Sequence, residues 1–129
     1  MPPEESRYPK DWLKVDERDW RRMGQALNDG DAEEAGFWLQ QAVEKYLKAY
    51  LLSKGWVLRK IHDLEILLNE AVVHMPAFGQ YGIVCQRISG YYLTERYPFV
   101  DSPGLKLDEV SGSRDGVKGL VESIRLELE

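Results

Sequence analysis

Apolar positions along the chain fall into five runs with helical spacing, and the polar residues between them mark where each run stops. From about Lys10 to Asn28, Leu13, Trp20, Met23 and Leu27 share one helical face. Asp29-Gly30-Asp31 then ends one run and opens the next, with Asp31 suited to cap a helix and Glu34 completing a capping box three residues on. So short a connection makes the two helices antiparallel neighbours. The second run, residues 31–54, is the clearest. Ala35, Trp38, Leu39, Ala42, Val43, Tyr46, Leu47 and Tyr50 follow the i, i+3, i+4, i+7 rule without a miss, which makes that face core. Gly55 supplies a left-handed stop, with Trp56 placed to fold back onto Leu51. About 24 residues at 1.5 Å each give a helix of roughly 36 Å, long for a chain of this size.

A third helix is predicted from His62 or Asp63 to Pro76, with Leu64, Leu67, Leu68, Ala71, Val72 and Met75 on one face. A fourth runs from about Gly79 to Glu95, with Val84, Ile88, Tyr91 and Tyr92 inward, until Pro98 halts it. Residues 98–108 read as a loop. The last helix carries Val117, Leu120, Val121, Ile124 and Leu128 and begins between Asp108 and Arg114. Gly112, Gly116 and Gly119 each weaken it by about 1 kcal/mol relative to alanine. Neither strand-like alternation nor an internal repeat interrupts this pattern. The expected architecture is all-α: one domain over residues 1–129, an antiparallel up-and-down bundle of about five helices around a long second helix, with residues 1–9 as a flexible lead-in.

With 129 residues, 43% of them hydrophobic, the chain can bury a core without disulfides or metal. Charged residues make up 30% and the mean hydropathy is -0.45, and no apolar run approaches the ~20 residues of a membrane span. The first residues, MPPEESRYPK, lack the apolar core of a secretory signal. Cys85 is the only cysteine, which excludes an internal disulfide and a cysteine-based zinc cluster; it reads as a small core residue, in keeping with a reducing cytoplasm.

The net charge of -5 argues against an extended nucleic-acid surface. Its distribution is uneven. Residues 1–35 carry ten acidic and six basic side chains, whereas Lys45, Lys48, Lys54, Arg59 and Lys60 occur in a stretch to Ile61 that has no acid at all. A local anion-attracting field on an acidic protein follows.

The second helix also carries a mixed stripe, Phe37, Gln41, Lys45, Lys48 and Leu52, spaced four, four, three and four. The plain alternative is a solvated face whose lysine stems cover apolar neighbours. Phe37 and Leu52 weaken it, because two large apolar groups on an exposed face suggest a partner surface. His62 stands beside Arg59, Lys60 and Asp63 at a helix start, where backbone N–H groups favour anions; the alternative is a capping side chain. Near the end of the fourth helix, Arg87, Tyr91, Tyr92, Arg96 and Tyr97 combine guanidinium forks with aromatic faces, the means of holding phosphates and stacking bases. For Tyr91 and Tyr92 a core role is favoured. The two histidines, His62 and His74, form no pair at metal-ligand spacing, and phosphate-binding glycine loops are missing, so no metal and no cofactor is expected.

Three blocks in order, QQAVEKYLKAYLLSKG from Gln40, IHDL from Ile61 and YYLTERYP from Tyr91, resemble the signatures of the HEPN family, named for higher eukaryotes and prokaryotes nucleotide-binding. The resemblance covers roughly residues 10–128. It implies a five-helix bundle, commonly a homodimer, often encoded beside a minimal nucleotidyltransferase as in toxin–antitoxin-like pairs. Gln41, Lys45, Lys48, His62, Arg96 and Tyr97 fall on its signature positions and are the nucleotide- or anion-binding candidates; Arg59, Lys60, Arg87 and Tyr92 are weaker ones. Phe37 and Leu52 are candidates for the dimer face. Ribonuclease members of the family carry Arg, four to six residues, then His. Here no histidine follows His74 and the gap from Arg59 to His62 is too short, leaving Arg87 and Tyr92 as the nearest approximation. A tyrosine with an ordinary pKa near 10 is a poor general base at neutral pH. The expectation is therefore a non-catalytic binding module; an atypical ribonuclease and a structural dimeric adaptor are the alternatives.

Overall fold

In the computed structural model, residues 6–96 and 104–129 are described, with the side chains of 92–96 left aside. The described residues form five α-helices, α1 (Pro9–Asn28), α2 (Ala32–Ser53), α3 (Leu64–Val72), α4 (Gly82–Arg96) and α5 (Leu107–Leu128), with a 3₁₀ helix, Pro76–Tyr81, leading into α4. No strand occurs among the described residues, and the architecture is an all-α bundle. None of these helices is long and apolar enough to cross a membrane.

α2 is central because it is apolar over most of its circumference. It packs against all four other helices, α1 most extensively. Leu39, Ala42, Val43, Tyr46, Leu47 and Tyr50 are fully buried. Trp38, expected in the same row, is only half-buried, with its indole N–H donating to Glu34 at 3.3 Å. At the start of α2, Asp31 accepts the Glu34 amide at 3.1 Å. At its end Gly55 takes a φ of 87°, while the Trp56 amide returns to the Leu51 carbonyl and the Gly55 amide to that of Leu52. Those two bonds are the paired closure that a left-handed glycine permits.

Three details depart from the sequence pattern. Residues 6–8 are not a loose lead-in: Ser6 is 1% exposed, its carbonyl accepts the Trp12 indole N–H at 2.5 Å and its hydroxyl bonds Asp11 at 2.6 Å. The third helix ends at Val72 rather than at Pro76, and the chain tightens into the 3₁₀ turns that bring Phe78 into the core. α5 starts at Leu107, one residue ahead of the expected range, with Asp108 and Glu109 in its positive first turn.

The glycines of α5 are not equivalent. A Cβ at Gly119 would lie 2.5 Å from the Tyr81 hydroxyl, so this glycine lets α5 approach the 3₁₀ helix, whereas a Cβ at Gly112 meets nothing within 4 Å. Gly112→Ala is expected to stabilise by up to about 1 kcal/mol through helix propensity, and Gly119→Ala to lower stability despite the same propensity gain. Thermal melts of the two variants check this; equal shifts would contradict it.

Candidate functional site

After α2 the chain does not leave the bundle. Residues 54–63 run back along α2 as an extended strap, since the Gln40 side-chain amide, twenty-two positions upstream, donates to the His62 carbonyl at 3.2 Å. A second anchor is Glu70 of α3, which accepts the Trp56 indole N–H at 3.0 Å and ion-pairs with Arg59. Between the strap, α2 and α1 lies a cavity of about 730 Å³. α1 contributes Trp12, Val15 and Arg18; α2 contributes Gln41, Glu44, Lys45 and Lys48; the strap contributes Leu58, Arg59, Lys60 and His62.

The floor is a buried polar network on α2. Gln40 is fully buried and donates to Glu44 at 3.0 Å, Lys48 donates to the other Glu44 oxygen at 3.0 Å, and His62 Nδ1 lies 3.1 and 3.2 Å from the same carboxylate. Glu44 and Lys48 are each 4% exposed, so both charges are withdrawn from water and depend on this pairing. Lys48 also sits 5.5 Å from the centre of the Trp12 ring. Lys45, one turn away, bonds the fully buried Asp19 at 2.5 Å, and Arg18 lies 3.5 Å from the other Asp19 oxygen. Four of the cavity's five cations, Arg18, Lys45, Lys48 and Arg59, thus share Asp19, Glu44 and Glu70, and the fifth, exposed Lys60, has no acidic partner among the described residues. A tight turn, with the Ile61 amide on the Arg59 carbonyl at 3.0 Å, carries Lys60 at its apex.

A second buried polar group lies outside the cavity. Arg125 of α5 grips Glu17 of α1 through two bonds of 2.8 and 2.9 Å and reaches the Tyr46 hydroxyl at 2.7 Å. Behind it Asp16 is fully buried, and neither of its oxygens has a hydrogen-bond partner among the described residues. Burial first, and then the charge of Glu17, push the Asp16 carboxyl up to about 9, so it is neutral near pH 7. Burial likewise raises the Tyr46 phenol, with Asp16 adding to it, and the thiol of buried Cys85 to about 12.

Six of the sequence-derived candidates, Gln41, Lys45, Lys48, Arg59, Lys60 and His62, come together in the one cavity. Arg87 is exposed on α4 and does not line it. Arg96 closes α4, but its side chain, that of Tyr92, and all of Tyr97 lie outside the described residues. Tyr91 is a core residue whose hydroxyl bonds Ser113 at 2.8 Å. The two dimer-face candidates separate. Leu52 is not on an exposed face: it is 9% exposed and packs with Trp12 and Ala49 inside the chain. Phe37 is half-buried, edge-on to Trp38 at 5.0 Å, beside a shallow hollow lined by Asp31, Glu33 and Glu34. Sequence reasoning missed Arg18, Gln40 and Glu44. For the last two a signal existed, because Gln40, Glu44 and Lys48 repeat at i+4 along the helix that carries the longest apolar pattern.

The HEPN domain family model matches residues 6–125. The chain belongs to the HEPN domain family. Among solved structures, the crystal structure of TT1696 from Thermus thermophilus is similar to this HEPN chain at 25% identity, with a TM-score of 0.78 over 91% of this chain and 95% of that one. No curated protein matches it. HEPN membership supports a module of nucleotide-binding or ribonuclease type in general.

Proposed function

We propose that this HEPN chain is a non-catalytic binding module that holds a nucleotide in the cavity between α1, α2 and the strap. One observation carries the reading: five cations converge on about 730 Å³ against only three carboxylates. That volume suits a small-molecule site. Val15 and Leu58 offer apolar wall for a base, and Arg18 and Lys60 offer donors for phosphates. Calorimetric titration with ATP and with GTP tests it. Binding by at least one is expected, weakened about tenfold or more, 1.4 kcal/mol, by Lys60→Glu, which touches no internal pair. Absence of heat with both nucleotides removes the reading.

Homodimer formation and partnership with a minimal nucleotidyltransferase, in a toxin–antitoxin-like pair, belong to the same proposal and rest on the family resemblance. A monomer in sedimentation and no co-purification with a neighbouring nucleotidyltransferase count against them.

A second reading, an atypical metal-independent ribonuclease, is favoured by His62 held on buried Glu44, since a carboxylate-oriented imidazole is a general-base arrangement. Labelled RNA left intact for hours by micromolar protein rejects it.

A further inference from the structure

We propose that Arg59 is a phosphate-gripping residue held in reserve by Glu70 and released to nucleoside di- and triphosphates but not to monophosphates, so that Arg59 makes the cavity favour the longer phosphate chains. This rests on the nucleotide reading above and names the ligand class within it. Arg59 lines the cavity, yet its guanidinium is paired with Glu70 on α3 and lies 5.6 Å from the centre of the Trp56 ring. The second Glu70 oxygen takes the Trp56 indole N–H at 3.0 Å. One carboxylate therefore restrains both strap side chains.

The cations of the cavity differ in how readily they can turn to a ligand. Lys45 is committed to fully buried Asp19, and Lys48, 4% exposed, to Glu44. Taking either from its partner would strand a carboxylate out of water, which is strongly unfavourable. Lys60, with no acidic partner among the described residues, and Arg18, 3.5 Å from Asp19, answer the first negative charges to arrive. Further charge calls for a further cation. The Arg59–Glu70 pair is the one that yields, because its side chains are 53% and 33% exposed and such pairs are weak. A guanidinium also matches a phosphate with two parallel bonds, which a lysine cannot do. A longer phosphate chain thus recruits Arg59, and a monophosphate leaves it on Glu70. When Arg59 turns, Trp56 loses the cation over its ring.

The test is calorimetry on the full chain with AMP, ADP and ATP, for wild type, Glu70→Gln and Arg59→Ala, with tryptophan emission followed in parallel. In Glu70→Gln the amide oxygen of the introduced side chain still accepts from Trp56, so the strap keeps that anchor while the competing charge is gone. Wild type should bind ATP more tightly than AMP. Glu70→Gln should tighten ATP about threefold, the worth of a part-exposed ion pair that ATP no longer has to break, and AMP by less, so the ATP to AMP ratio widens. Arg59→Ala should instead narrow it, weakening ATP and sparing AMP. ATP should change the emission of wild type more than AMP does, and Trp56→Phe should remove that excess, since Trp12 in the cavity wall senses both ligands. If wild type binds ATP but neither variant alters the ratio, or Glu70→Gln loosens all three ligands alike, Glu70 only anchors the strap and the proposal fails. If wild type binds none of the three, the nucleotide reading falls and this inference with it.

Discussion

Glu44→Leu is expected to destabilise the fold by about 3–5 kcal/mol, the cost of leaving a buried charge without its partner. Lys48 is 4% exposed and Glu44 is its only ion-pair partner among the described residues, while Gln40, fully buried, would lose an acceptor as well. The magnitude is large because the effect comes from stranding, not from the net worth of the pair, which buried ion pairs often lack. Adding Lys48→Met should therefore recover most of the loss, since an unbranched apolar chain fills the lysine stem's place beside Trp12. Chemical denaturation of the single and double variants measures both steps. A double variant no more stable than Glu44→Leu alone would mean that Lys48 is not what makes Glu44 necessary.

The second large effect concerns pH. In the unfolded chain Asp16 titrates at its ordinary value of 3.8, and in the fold at about 9. Between these values the native state holds a proton that the unfolded state has released, so stability is fully present below about pH 4 and is lost progressively as pH rises towards 9. One unit of displacement corresponds to about 1.4 kcal/mol, which makes the loss by pH 8.5 on the order of a few kcal/mol. Asp16→Asn keeps the neutral, similarly shaped group and removes the proton. Its stability relative to wild type should rise from pH 5 to pH 8.5, read as the change in melting-temperature difference between the two proteins. A difference constant across that range would show that Asp16 is not held protonated.

What could be read from sequence was what local rules govern. α2 was legible because apolar spacing, the Asp31 cap and the Gly55 stop all point to one helix, and each is met in the structure. The 3₁₀ helix at Pro76–Tyr81 was not: Pro76 reads as a stop, and six residues are too few to show a period of their own. Leu52 looked exposed on the helical wheel because a wheel takes one buried face for granted, whereas α2 is covered on nearly every side and Trp12 of α1 reaches Leu52.

The cavity was half legible. The acid-free stretch from Lys45 to Ile61 drew attention to Lys45, Lys48, Lys54, Arg59 and Lys60, and the helix start after it to His62; all of these but Lys54 line the cavity. Their convergence depends on the strap folding back over α2, and no local rule sets the path of ten irregular residues. The same holds for Arg18 and for the Asp16, Glu17 and Arg125 group. These meet across 108 residues of chain, between Glu17 and Arg125, through helix packing alone. Buried Glu44 was passed over because charged residues are seldom buried, and those that are need a partner that sequence does not reveal.

The proposed ligand site is the cavity of α1, α2 and the strap. An amide-resolved NMR titration of the full chain with ATP tests it most directly. Saturable shifts are expected, concentrated at Arg18, Gln41, Lys45 and Lys60 and along residues 58–62, the cavity's own wall. Shifts centred instead on Phe37 and Trp38, or on α4 around Arg87, or none at millimolar ATP, would contradict it.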